Sequence, residues 1–430
     1  MQVSVEAMSS VARRMTIGIP QESIKPKIQD RLKSLAQKSK INGFRPGKVP
    51  MRVIEQRYGQ QVRAEIATEV IQLSFGDAIA QEQLSPVSEP SLDLKSDIKK
   101  LEQGLSYTAT FEIYPEITTL HVDGLAVEKP VAEITDADVD TMLYRLRQQR
   151  KTWNDVDRPA TEGDRLIIDL VGTIDGKPFA GNEFKQVPLI LGKKDFILPG
   201  FEEKLMGAEK GEQREFDLSF PKEHKNPTLA GQTAHFVVQV LNVNESELPE
   251  INEEFIRLFG IEDGSIETLR SDARRNMESE LKYATKEKLK QQILAALLKA
   301  NPIEEVPKTL VKDETARLLK KTRQQNISAS LFKEEAQRQV KIGLLIRELI
   351  KRYNLQANPD QVRQFIEKLA SVSENPEKVV QEYYADKQRL RAVESIVLED
   401  KAVEWLLKRA QIIEKQTDFY SVVEDQPSLT

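Results

Sequence analysis

The residues best placed to do chemistry lie in a short loop, Gly43-Phe44-Arg45-Pro46-Gly47-Lys48-Val49-Pro50. Gly43 and Gly47 permit backbone angles that other residues resist, while Pro46 and Pro50 fix φ, so the loop gains a defined shape. Phe44, Arg45 and Lys48 are then presented as an aromatic anchor flanked by cations. Such a tip suits a partner offering a small apolar pocket beside phosphates or carboxylates. Nucleotide cradling is a different chemistry. It needs four residues between the glycines and a Ser or Thr after the Lys, whereas three residues separate Gly43 from Gly47 and Val49 follows Lys48. Between Gln21 and Arg63 eleven Lys or Arg stand against three acids, a local +8 in a chain of net charge −5. The basic field therefore belongs to this segment and not to the bulk composition. His121, His224 and His235 share no ligand spacing and there is no cysteine. No metal centre, thiolate chemistry, disulfide or cofactor is expected.

These side chains need elements to hold them. Val3 and Val5, then Met15, Ile17 and Ile19, alternate as strands; Tyr107, Ala109, Phe111 and Ile113 do so again. Residues 21–40 and 51–83 read as helices on either side of the loop. Residues 1–113 are thus an α+β module. A connector, 114–153, holds a strand at 120–128 and a helix from about 136 to 153, capped by Thr135 with acids in its first turn. Nine of the 19 glycines and seven of the 15 phenylalanines fall between residues 163 and 236, which marks 154–244 as turn-rich β structure. After Ser265 only Gly343 remains, and residues 245–430 read as helices at about 265–300, 308–323, 331–352, 360–370 and 386–410, with a mobile tail after Thr417. The fold class is α+β and multidomain. With 39% hydrophobic and 30% charged residues in 430, an elongated shape is expected. No stretch has the length of a membrane span and the N-terminus lacks a signal-peptide core, so a cytoplasmic protein without a membrane partner is expected.

The middle region reads EGDRLIIDLVGTIDGKPF, then DFILPGFEEKLMGAEKGEQREF, then HFVVQVLNV. This order resembles the FKBP family of peptidyl-prolyl isomerases. The resemblance implies an apolar pocket lined by Phe179, Ile197, Leu198, Phe201 as its floor, and Phe236. Prolyl isomerisation needs no nucleophile or metal: the barrier of about 20 kcal/mol comes from amide resonance, and a dry aromatic site can favour the twisted amide. Ala180, Leu170 and His224 depart from residue types frequent in that family.

The basic loop resembles the ribosome-docking signature of the trigger factor family, and the order of the three parts resembles that family along the whole chain. The resemblance implies an ATP-independent chaperone. Gly43, Phe44, Arg45, Gly47 and Lys48 would dock it on the large ribosomal subunit (protein and rRNA) near the exit tunnel, and the C-terminal helices would cradle nascent and unfolded polypeptides. It leaves room for a homodimer off the ribosome. Two other classes compete. A dedicated prolyl isomerase would use its flanks only for targeting. A nucleic-acid binder would use the basic helices, which carry few stacking aromatics, Phe44 and Tyr58.

Overall fold

The structure is a computed structural model and describes residues 1–39, 44, 49–193, 198–223, 226, 228–322, 329–371 and 373–424. The chain forms two compact units, each discontinuous in sequence: Met1–Lys129 with Lys286–Lys415, and Pro130–Thr285 with Gln416–Thr430.

The first elements are β1 (Gln2–Ala7), β2 (Ala12–Ile19), α1 (Gln21–Lys38), α2 (Met51–Gln81), β3 (Ser91–Leu94) and β4 (Leu105–Glu112). The strands form an antiparallel sheet of order β1-β2-β4-β3. Met15, Ile17 and Ile19 of β2 share one buried face with Tyr107, Ala109 and Phe111 of β4, as a two-residue period requires. In α1 the buried residues are Ile24, Ile28 and Leu32, one stripe of a helix with one wet side. Helix α2 adds Ile54, Val62, Ile66, Val70 and Ile71 to the same core. Inside it, Tyr107 Oη donates to the Ile71 carbonyl at 3.2 Å and lies 2.8 Å from Ser74 Oγ, so the buried phenol is satisfied.

Next come β5 (Ala126–Val131), α3 (Asp136–Gln149), β6 (Thr152–Asp155), β7 (Arg165–Ile174), β8 (Lys177–Ile190), β9 (Gln213–Ser219) and β10 (Thr233–Glu247). Helix α3 starts in a capping box: Asp138 N–H donates to Thr135 Oγ1, and Thr135 N–H donates to Asp138 Oδ2. It ends at Gln149, short of the expected 153. Trp153 instead lies in β6, opposite Ser246 of β10, with Lys151 and Arg165 over its ring at 4.4 and 4.6 Å. The aromatic residue gains more from a strand face and two cations than from a further helical turn. Strand β10 organises this sheet. One edge pairs with β7; the other pairs with β9 at residues 233–239 and with β6 at 244–247.

The chain then runs through α4 (Glu253–Arg257), α5 (Ile266–Ala300), α6 (Lys308–Thr322), α7 (Ala329–Arg352), α8 (Pro359–Ala370), α9 (Pro376–Ala385), α10 (Lys387–Leu407), β11 (Gln411–Gln416) and α11 (Phe419–Val423). Asn358, Asn375 and Asp386 cap α8, α9 and α10, with Pro at the first position of α8 and α9, the arrangement helix starts favour. Three outcomes after α8 differ from the expected helices and mobile tail. Helix α9 is an extra element, β11 pairs with β5, and Phe419 of α11 is buried beside Val139, Leu143 and Met277. Residues 418–424 are therefore anchored, because Asp418 caps the short helix and an aromatic side chain holds it in a core.

A carboxylate joins β4 to α6. Glu112 accepts from the backbone N–H groups of Lys308 and Thr309, both at 2.9 Å, and from Thr309 Oγ1 at 2.8 Å. Burial alone would raise this carboxyl, but those donors outweigh it and hold it below its ordinary value. The acid supplies what the helix start lacks.

Candidate active site

Of the expected pocket residues, Phe179 sits on β8, Phe236 on β10, and Leu198 and Phe201 in one turn. Phe236 of β10 stands opposite Gly172 of β7 and Phe216 of β9. All three therefore occupy one rung of the sheet and one face. At the turn Leu198-Pro199-Gly200-Phe201, Phe201 N–H donates to the Leu198 carbonyl at 3.2 Å. Gly200 has φ of 85°, which a type II turn demands at that position and Pro199 prepares. The turn is tied down from several directions. Gly192 N–H donates to Glu202 Oε2 at 2.8 Å, and Arg214 Nη1 donates to the carbonyls of Lys204 and Met206.

The turn drives Phe201 beneath the sheet, where it is fully buried. Its ring meets Phe216 at 5.1 Å and Phe236 at 5.5 Å, both edge-to-face, a geometry worth about 0.5–1.5 kcal/mol per pair beyond area burial. Phe179 and Phe220 meet at 5.9 Å and 88°. Leu198 is buried in the same cluster, with Phe179 and Phe216 half-buried at its edge. Of the expected lining residues, Phe179, Leu198, Phe201 and Phe236 thus belong to one apolar cluster. Ile197 lies outside the described residues. So do His224 and the side chain of Ala180. Leu170 is buried in the core.

Gly172 and Phe216 were not among the expected residues. A Cβ at Gly172 would fall 2.9 Å from a carbon of the Phe236 ring and 3.0 Å from one of Phe179, so only glycine lets both rings close over the strand. A glycine inside an apolar strand signals such an approach; which rings close over it depends on strand register.

Near the site two carboxylates are buried, Glu202 and Asp164. Asp164, at the entry to β7, accepts from Arg158 Nη1 and Nη2 at 2.7 and 3.1 Å, and from Thr161 N–H and Oγ1 at 2.8 and 3.1 Å. Burial would raise it, but the Arg158 fork and the Thr161 donors win and hold it below the ordinary carboxylate value. A depressed folded pKa contributes stability above the unfolded value of about 3.9, which is lost as pH falls through the folded one. Asp164→Asn should therefore cost about 2 kcal/mol at neutral pH and flatten the loss of stability below pH of about 4. Urea-dependent hydrogen exchange of β7 and β10 in the full chain measures both.

In the basic head, Phe44 is 40% exposed, while Val49 just beyond it is buried in the core. Gly43, Arg45, Gly47 and Lys48 lie outside the described residues. Part of the expected basic face is neutralised internally. Lys27 pairs with Glu69 at 2.7 Å, Arg31 with Glu65 at 2.6 Å, and Arg63 with Glu55 and Glu102. Lys25, Lys38, Arg52 and Arg57 make no ion pair with another described residue.

Three family models match in order. Residues 1–146 match the bacterial trigger factor protein, 156–241 the FKBP-type peptidyl-prolyl cis-trans isomerase, and 265–408 the bacterial trigger factor C-terminus. Trigger factor from Azotobacter vinelandii is 42% identical over 431 residues, and that from Pseudomonas fluorescens strain Pf0-1 is 43% identical over 433, each alignment covering 98% of both chains. The chain belongs to the trigger factor family. It is a chaperone that carries an FKBP-type prolyl isomerase domain between two trigger factor parts. A solved structure of the trigger factor chaperone aligns over 95% of this chain and 99% of its own, at TM-score 0.48 and 19% identity. Among the described residues no helix is long and apolar enough to cross a membrane, and no group of three or more His, Asp or Glu is placed to hold a metal.

Proposed function

We propose that this trigger factor family member docks on the large ribosomal subunit through the Gly43–Lys48 loop and receives nascent and unfolded polypeptides as they leave the exit tunnel. Its division of labour would follow four segments: 1–113 for docking, 114–153 as connector, 154–244 for prolyl isomerisation and 245–430 for holding clients. The isomerase pocket would be formed by Phe179, Leu198, Phe201 and Phe236, with Ile197 completing its wall. The observation that carries the enzymatic part is the aromatic cluster, where half-buried Phe179 packs against the core that holds fully buried Phe201 and Phe236. A proline ring set on that edge would sit against hydrocarbon. Its amide would lose water, and water favours the planar, charge-separated form, so the twisted form becomes easier to reach. No proton moves in this step, so the rate should be flat from about pH 6 to 8.

Holding and isomerising should be separable in the intact chain. Phe179→Ala is expected to slow isomerisation of a prolyl tetrapeptide by about tenfold, which corresponds to about 1.4 kcal/mol of lost transition-state stabilisation. Suppression of aggregation of a refolding, proline-poor client should stay near that of the parent. Loss of both activities in a variant that remains folded would favour a dedicated isomerase whose flanks serve targeting.

A further inference from the structure

Helices α6 and α7 border a trough of about 660 Å³, a volume that accommodates a few side chains. Its hydrocarbon comes from Val306, Val311 and Leu319, of which Val311 is buried and the other two are half-buried. Its polar rim is of one sign: Lys308, Lys312 and Lys333 line it, and no acidic residue does among the described residues. Of the acids on the same helices, Glu314 pairs with Arg317 at 2.7 Å and Glu335 with Arg338 at 3.2 Å, Asp313 lines a different hollow, and Glu334 is outside the lining of this one. Lys308 lies in the field of Glu112 and Glu305. Lys312 and Lys333, one on each helix, make no ion pair with another described residue. Gln337, also in the lining, offers both a donor and an acceptor of the kind a peptide backbone uses.

We propose that this trough docks an extended polypeptide segment in which an aspartate or glutamate sits beside aliphatic residues. The aliphatic side chains cover the valine and leucine floor, the carboxylate meets Lys312 and Lys333, and Gln337 meets the segment's backbone. A fatty acid would use the floor and the lysines but leave the Gln337 amide without a partner. The assignment rests on the chaperone reading, since the segment would belong to an unfolded client.

The test is fluorescence anisotropy of the full chain with short labelled peptides sharing a Leu-Val-Leu centre and flanked by Asp, Asn or Lys. At low salt the Asp peptide is expected to bind about fivefold tighter than its Asn isostere, as exposed ammonium–carboxylate contacts allow, and the gap should narrow as salt rises. Lys312→Glu/Lys333→Glu should erase the gap and favour the Lys peptide. Ala316→Trp, at an exposed position of α6 in the trough lining, should fill the trough and weaken the Asp and Asn peptides alike, with circular dichroism confirming that both variants are folded. A gap that survives the charge reversal overturns the assignment, as does a trough that binds decanoate and neither peptide. Client aggregation is followed in parallel. Suppression without any peptide preference overturns only the trough, whereas absence of suppression by the parent overturns the chaperone reading.

Discussion

Replacing Phe201 by Ala should abolish prolyl isomerisation and cost the isomerase domain about 3–5 kcal/mol, the usual range for deleting a buried ring. Phe201 has no exposed surface and meets the Phe216 and Phe236 rings at 5.1 and 5.5 Å. Its removal leaves a void that Glu202, fastened to Gly192 N–H at 2.8 Å, hinders the turn from closing. Catalytic and structural losses would then be mixed, so the informative partner is Phe201→Leu. That change keeps most of the volume and should cost under about 1.5 kcal/mol. It also removes the flat, polarisable floor, and the rate should fall by about tenfold, or about 1.4 kcal/mol. Hydrogen exchange of β10 reports the stability and a protease-coupled tetrapeptide assay the rate. A folded Phe201→Leu variant working at the parental rate would show that the ring has no part in the site.

What could be read in the chain beforehand follows the range of the interactions involved. Local periods place Met15, Ile17 and Ile19 on one strand face and Ile24, Ile28 and Leu32 on one helix stripe, because neighbours in sequence decide them. Turn chemistry is equally local: Pro199-Gly200 writes its own φ angles. Partners distant in sequence were hidden. Gly172 matters because register sets it opposite Phe236, and Trp153 leaves α3 because β10 offers it a strand edge. Strand β11, QIIEKQ, is exposed along its whole length and shows no alternation, so only its pairing with β5 reveals it. Phe419 reads locally as part of a loose tail, and only Val139 and Leu143 of α3 and Met277 of α5, distant in sequence, supply the core that buries it. The charge of the head was legible as a sum but not as a surface. Glu65 and Glu69 fall just past the basic segment, and extending the window to residue 69 lowers its net charge from +8 to +6.

That correction sharpens what ribosome binding should depend on. With Lys27 and Arg31 bound to Glu69 and Glu65, long-range attraction falls to Lys25, Lys38, Arg52 and Arg57 together with Lys40, ahead of the loop, and Arg45 and Lys48 within it. Attraction from exposed charges weakens as the Debye length shrinks from about 10 Å at 0.1 M salt to a few ångströms at 1 M. A short-range anchor must then supply the part that resists salt, and Phe44, exposed at 40%, is the aromatic residue of the loop. Phe44→Ala/Arg45→Ala is therefore expected to lower co-sedimentation with ribosomes by at least about tenfold, the loss of one modest hot spot. Thermal unfolding should hardly change, since Phe44 is not part of the core. Val49→Ala gives the contrast. It trims a side chain buried in the head's core, so it should lower stability by about 1–3 kcal/mol while sparing the tip. If the double variant sediments with ribosomes as well as the parent at low salt, the loop is not the dock. If it fails at low salt while Lys25→Glu binds normally, contact at the tip outweighs attraction from the helices around it.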